Sequence, residues 1–110
     1  MKTQAWSEWR LFPDPRQCGI LVAPVGPGCY ELRDGEQPIL YGQSANLAYR
    51  ITSLLPKPWG CGTRRNHDKR DYVFKHLGKI EYRTLACDTR SEAKIEEGIL
   101  RSQKEYLFKD

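Results

Sequence analysis

The sequence contains no apolar run approaching the roughly 20 residues that a membrane span requires. Its first residues, MKTQAWSEWRLF, lack the apolar centre of a secretory signal, so the chain reads as a soluble cytoplasmic protein with no membrane partner. No C-x-x-C pair occurs among the four cysteines, Cys18, Cys29, Cys61 and Cys87, which leaves a zinc site without its usual spacing. Cys61 with His67 supplies at most half of one. A cytoplasmic setting disfavours disulfides. Cys29 and Cys87 lie in strand-like runs and read as small buried hydrophobes. Internal repeats and low-complexity tracts are also missing, which excludes solenoids and biased tails.

What is present is globular in character. Of 110 residues, 39% are hydrophobic and 29% charged, which fits one domain with one modest core. The net charge of +4 is unevenly placed. Between residues 57 and 83, eight basic side chains face only Asp68, Asp71 and Glu81, giving +5, while the remainder of the chain is −1. Concentrated positive charge suits a polyanionic partner, although a charged helix face is also commonly just solvated.

Residues 1–27 are rich in turn formers, with FPDPRQ and APVGPG flanking a short strand-like CGILVA. They read as an N-terminal arm that packs on the domain through Trp6, Trp9, Leu11 and Phe12. Residues 28–110 form the domain itself. GCYELR and ILYGQS alternate in strand fashion around the turn signal DGEQP, which predicts an antiparallel hairpin. Ser44 or Asn46 caps a following helix that runs to about Leu55. HDKRDYVFKHL is a second helix ended by Gly78, and KIEYRTLAC a third strand. Thr89 and Glu92 form a capping box for a last helix reaching about Phe108. The expected fold is α+β, in β-β-α-α-β-α order, with a small three-stranded, mainly antiparallel sheet flanked by helices.

The hairpin and its helix resemble the GIY-YIG nuclease domain. Gly28-Cys29-Tyr30 is similar to the first half-motif. Leu40-Tyr41-Gly42 is similar to the second, and Asn46-Leu47-Ala48-Tyr49-Arg50 to the helix that carries the family's arginine. The likeness spans about residues 28–108. Tyr41 stands one place away from the expected tyrosine, so either Tyr41 has shifted and still supplies the phenol, or Leu40 fills that position. Gln43 replaces a frequent lysine, and Lys109 falls near a frequent asparagine. The resemblance implies a metal-binding glutamate on the last helix. Spacing from Glu92-Ala93 points to Glu97. Helical geometry instead puts Glu96 inside the arc of Ile99, Leu100 and Leu107, where an unpaired carboxylate is costly.

The resemblance implies a metal-dependent DNA endonuclease. One carboxylate would hold Mg²⁺ or Mn²⁺, cations that prefer oxygen ligands. Arg50 would fork onto a non-bridging phosphate oxygen. Tyr30 and Tyr41 would orient or deprotonate the attacking water, with His67 as an alternative base. Taken singly, strand tyrosines usually pack across strands and a helix arginine is usually solvated. The combination in family order is what favours chemistry. Lys57, Arg64, Arg65, Lys69 and Arg70 would contact phosphates, and Trp59 would stack on an unpaired base. A single-stranded or structured DNA is the expected substrate, and a monomer or weak dimer the expected state. The alternatives are a nucleic-acid-binding module without catalysis and a protein-interaction domain using the Trp-rich arm.

Overall fold

The computed structural model describes residues 6–13, 21, 23–52 and 67–108. Their order is β1 (Arg10–Leu11), β2 (Gly28–Asp34), β3 (Gln37–Ser44), α1 (Leu47–Thr52), α2 (His67–Lys75), β4 (Ile80–Ala86) and α3 (Arg90–Gln103). The strands form one antiparallel sheet in the order β1-β4-β2-β3. The expected α+β class and helix–strand order therefore stand, with four strands instead of three.

The additional strand comes from the N-terminal segment. Arg10 and Leu11 pair with Tyr82 and Glu81, and Phe12 N–H extends the contact to the Ile80 carbonyl at 2.8 Å. Phe12 is 1% exposed and meets Tyr82 edge to face, so this strand is anchored by one buried ring. Two residues are too few to show an alternating pattern, which is why the strand is not visible in the sequence. Most of CGILVA lies outside the described residues.

The β2–β3 hairpin turns at Gly35 and Glu36, where Gly35 takes a φ of 60° that glycine adopts without strain. Pro38 is tolerated in β3 because that strand lies at the sheet edge and bonds to β2 alone within the sheet. The register shift between Leu32 and Arg33 sits beside it. Between Ser44 and Asn46, the structure selects Asn46 as the cap of α1. Its side-chain oxygen accepts from Tyr49 N–H at 3.1 Å. The first two N–H groups of α1, from Leu47 and Ala48, donate to the carbonyls of Gly26 and Pro24.

The end of α3 differs from expectation. Thr89 caps its start, accepting from Glu92 N–H at 3.2 Å, and the Glu92 carboxylate accepts from Asp88 N–H, so the capping box forms one residue upstream of its usual place. The helix stops at Gln103, not near Phe108, and Lys104 is extended. Long-range bonds explain the early stop. Lys104 and Tyr106 reach across to Glu31, and the N–H groups of Leu107 and Phe108 donate to the carbonyls of Pro38 and Ile39 on the outer side of β3. Propensity alone does not report such partners.

Residues directly opposite in the register share a face. Tyr30, Leu32, Leu40, Gly42 and Tyr82 face α1 and α2, forming an apolar core with Leu47, Ile51 and Val73. Cys29, Glu31, Tyr41, Arg83 and Leu85 face the other way, where α3 packs through Ala93 and Leu100. Among the described residues no helix is long and apolar enough to cross a membrane.

Candidate active site

Each element carrying a candidate residue is fixed by the packing just described. Tyr30 is 4% exposed. Its ring lies across Gly42 of β3, and a Cβ at position 42 would overlap the phenol oxygen. Glycine in this half-motif is therefore a requirement of space: it lets a buried tyrosine reach across the outermost strand. Arg50 follows on α1, which springs directly from β3, and it is exposed on the surface of that helix.

Tyr41 does not accompany Tyr30. The pairs Tyr30↔Gly42 and Glu31↔Tyr41 put the two phenols on opposite faces of the sheet. Shifting a tyrosine by one position along a strand turns it to the other side. Leu40, not Tyr41, occupies the Tyr30 face. The expectation that both phenols act together on one water thus meets a geometric obstacle.

On its own face Tyr41 joins α3. Its hydroxyl accepts from Arg101 Nε at 3.0 Å, and a terminal nitrogen of the same guanidinium donates to Glu97 Oε1 at 3.2 Å. Glu97 is partly buried, its side chain 21% exposed. The buried residues of α3 are Ala93 and Leu100, whereas Ile99 is 40% exposed. This corrects the helical arc drawn through Ile99 and Leu107. Glu97, four residues after Ala93 and three before Leu100, lies on the inward side. Glu96 is also half-buried. At its other end α3 touches β3 again, where Arg90 Nε meets Gln43 Oε1 at 3.5 Å.

Behind Tyr41 lies a charged cluster that the sequence reading missed. Glu31 is 1% exposed, yet it accepts from Arg83, Lys104 and Tyr106. Burial pushes its carboxyl up, but the hydrogen bonds from Lys104, Tyr106 and Arg83 outweigh burial and hold it below its ordinary value. Burial, then the Glu31 hydrogen bond, push the Tyr106 phenol well above its ordinary value. Tyr106 in turn packs on Tyr41 with ring centroids 4.4 Å apart. The available signal was a glutamate and an arginine, Glu31 and Arg83, at inward positions of two strands. Above Glu31 a cavity of about 260 Å³ opens between Trp9, Arg33, Arg83 and Lys104. Its cations are already paired, Arg33 with Glu81 and the other two with Glu31, so it is not part of the candidate site.

Burial pushes the Cys29 thiol up to about 12, and its hydrogen atom is donated to the Ala93 carbonyl. It is a packing residue, unsuited to attack or ligation. Lys69 and Arg70 are half-buried on α2. His67 begins that helix, and its side chain lies outside the described residues, as do Lys57, Trp59, Cys61, Arg64 and Arg65. Among the described residues no group of three or more His, Cys, Asp or Glu gathers at one point. A cation at Glu97, alone or with Glu96, would fill the rest of its shell with water. That donor set suits Mg²⁺, which keeps most of its waters, better than zinc.

An antiparallel sheet with a tyrosine hairpin, an arginine-bearing helix after it and a glutamate-bearing last helix is the fold of GIY-YIG endonuclease domains. In particular, the chain is similar to the GIY-YIG N-terminal endonuclease domain of UvrC from Thermotoga maritima, whose crystal structure contains its catalytic divalent cation, magnesium. The two share 22% identity with a TM-score of 0.65, covering 90% of this chain and 100% of that one. A point mutant of the same domain, also bound to its catalytic divalent cation, matches at 25% identity and a TM-score of 0.61, covering 82% and 89% of the two chains. No protein-family model and no curated protein matches the chain.

Proposed function

We propose that the protein is a metal-dependent DNA endonuclease that hydrolyses phosphodiester bonds. The observation that carries this reading is the attachment of three elements to the outer strand β3, with Tyr30 and α1 on one face and α3 on the other. The Tyr30 ring lies across Gly42, α1 with Arg50 continues from Ser44, and α3 with Glu97 is tied to Gln43 and Tyr41. In this reading Glu97, with Glu96 as second candidate, holds Mg²⁺, Mn²⁺ being an alternative. The cation supplies Lewis-acid stabilisation of the phosphate charge when bound. Arg50 forks onto a phosphate oxygen. Tyr30, the phenol of the first half-motif, orients the attacking water, with Tyr41 on the Glu97 face and His67 as alternative bases.

The basic residues Lys57, Arg64, Arg65, Lys69 and Arg70 supply backbone contacts and Trp59 a stacking surface, which suits single-stranded or structured DNA. In this reading the protein acts in the cytoplasm as a monomer or weak dimer.

A second reading, a nucleic-acid-binding module without catalysis, is favoured by one observation: Leu40 stands on the Tyr30 face where a second phenol is expected. One experiment separates the two. Single-stranded, duplex and branched DNA are incubated with the protein, with and without Mg²⁺ or Mn²⁺, beside Arg50→Ala and Glu97→Ala. Cation-dependent nicking, lost by at least about 100-fold in both variants, supports the nuclease. DNA binding with no cleavage in any cation supports the module.

A further inference from the structure

We propose that Arg101, locked in place by Tyr41, is a positioning residue that fixes which oxygen of Glu97 faces the divalent cation; this rests on reading Glu97 as the metal ligand. One guanidinium makes both contacts, donating through Nε to the Tyr41 hydroxyl at 3.0 Å and through a terminal nitrogen to Glu97 Oε1 at 3.2 Å. Guanidinium donors sit in a rigid planar fork. The bonds to Tyr41 and Glu97 together fix the plane of the group.

Tyr41 is a firm anchor. It is 4% exposed, packed on Tyr106, and Tyr106 is bonded to the buried Glu31. A series of ordered contacts thus runs from the sheet interior to one oxygen of a glutamate. A glutamate side chain left alone loses considerable rotamer freedom when it binds a cation. The clamp reduces that freedom in advance, and because it engages Oε1, it leaves Oε2 as the oxygen available to a cation. The like charge of Arg101 opposes a cation only weakly, because the Arg101 side chain is 60% exposed and solvent screens it. The one-residue displacement of the second tyrosine therefore has a use: it moves a phenol from the Tyr30 face to the face where it can hold Arg101.

The test is calorimetric titration of Mn²⁺ into the full chain without DNA. The parent is compared with Arg101→Ala, Arg101→Lys, Tyr41→Phe, the Tyr41→Phe/Arg101→Ala double variant and Glu97→Ala. Arg101→Ala is expected to weaken Mn²⁺ binding by about 10-fold or more, the usual effect of removing a partner of a ligand. Lysine at 101 keeps the charge without the fork and recovers only part of the loss. Tyr41→Phe weakens binding less than Arg101→Ala, and the double variant is no weaker than Arg101→Ala within about twofold, because Tyr41 acts only through Arg101. Unchanged or tighter binding in Arg101→Ala overturns the proposal, as do full recovery by lysine and effects of the two substitutions that multiply. Mn²⁺ binding undiminished in Glu97→Ala overturns the metal assignment beneath it. A parent that binds no Mn²⁺ overturns both.

Discussion

Leu32 and Glu31 are neighbours in β2 and equally hidden, at 0% and 1% exposure, yet they look into opposite halves of the molecule. Under α1 and α2, Leu32 joins Leu40, Leu47, Ile51 and Val73 in an apolar core. Under α3, Glu31 is held by an arginine, a lysine and a tyrosine, and this polar cluster continues through Tyr106 and Tyr41 to Arg101 and Glu97. One half is stabilised by removal of apolar surface from water. The other adds to its own apolar clusters, around Ala93 and Leu100, buried charges that must keep their partners. Burial alone therefore does not reveal what holds a residue in place. The candidate metal ligand belongs to the half in which orientation is set by directional bonds.

The sharpest way to break this contrast is at its two most buried positions. Glu31→Ala leaves Arg83 and Lys104 without their carboxylate and is expected to destabilise the fold by about 3 kcal/mol in urea titration. Leu32→Ala is expected to cost about as much, 3 kcal/mol, by cavity formation. The origins separate with pH. The Glu31 carboxyl is held below its ordinary value of 4.5, so its contribution is complete above pH 4.5 and is lost as pH falls through the lower folded value. In acid the gap between the parent and Glu31→Ala closes, while the Leu32→Ala gap persists. A Glu31→Ala gap that stays constant into acid refutes the electrostatic account.

Next in size is the contrast between the phenols. Tyr30→Phe is expected to slow DNA cleavage by about 100-fold or more, equivalent to roughly 2.7 kcal/mol. Tyr41→Phe should slow it by less than about 10-fold in saturating cation, because its action is relayed. Equal losses in single-turnover assays sink the division of roles. Smaller again is Gly42→Ala, where the new methyl group must displace the Tyr30 ring; overpacking of this kind costs about 1–3 kcal/mol. A melting temperature within a degree of the parent would show that the ring yields freely. Least affected is Tyr49→Ala on α1: with Tyr49 at 75% exposure, the change in stability should stay below about 0.5 kcal/mol in the same titration.

Local chemistry made much of this legible from sequence. The Asp34–Gln37 turn, the Asn46 cap and the Thr89 cap each depend on residues within a few positions, and they stand where the composition suggests. Apart from the helical arc misdrawn through Ile99, the failures are long-range. Arg10 and Leu11 become a strand only because β4 offers an edge, and α3 stops early only because Glu31, over 70 residues upstream, recruits Lys104. The site was legible in part. Glu97 and Arg101 stand at helical spacing in plain view. The facing of Tyr41 follows from its register with Glu31, and that register needs the turn length and the Leu32/Arg33 irregularity, which the alternating pattern does not give.

The two amide groups of Leu107 and Phe108 that donate to the Pro38 and Ile39 carbonyls turn the C-terminal segment into a seal on the hairpin's open flank. A protein shortened ahead of Leu107 bares a ready template for strand addition, inviting a second hairpin to dock there and chains to associate.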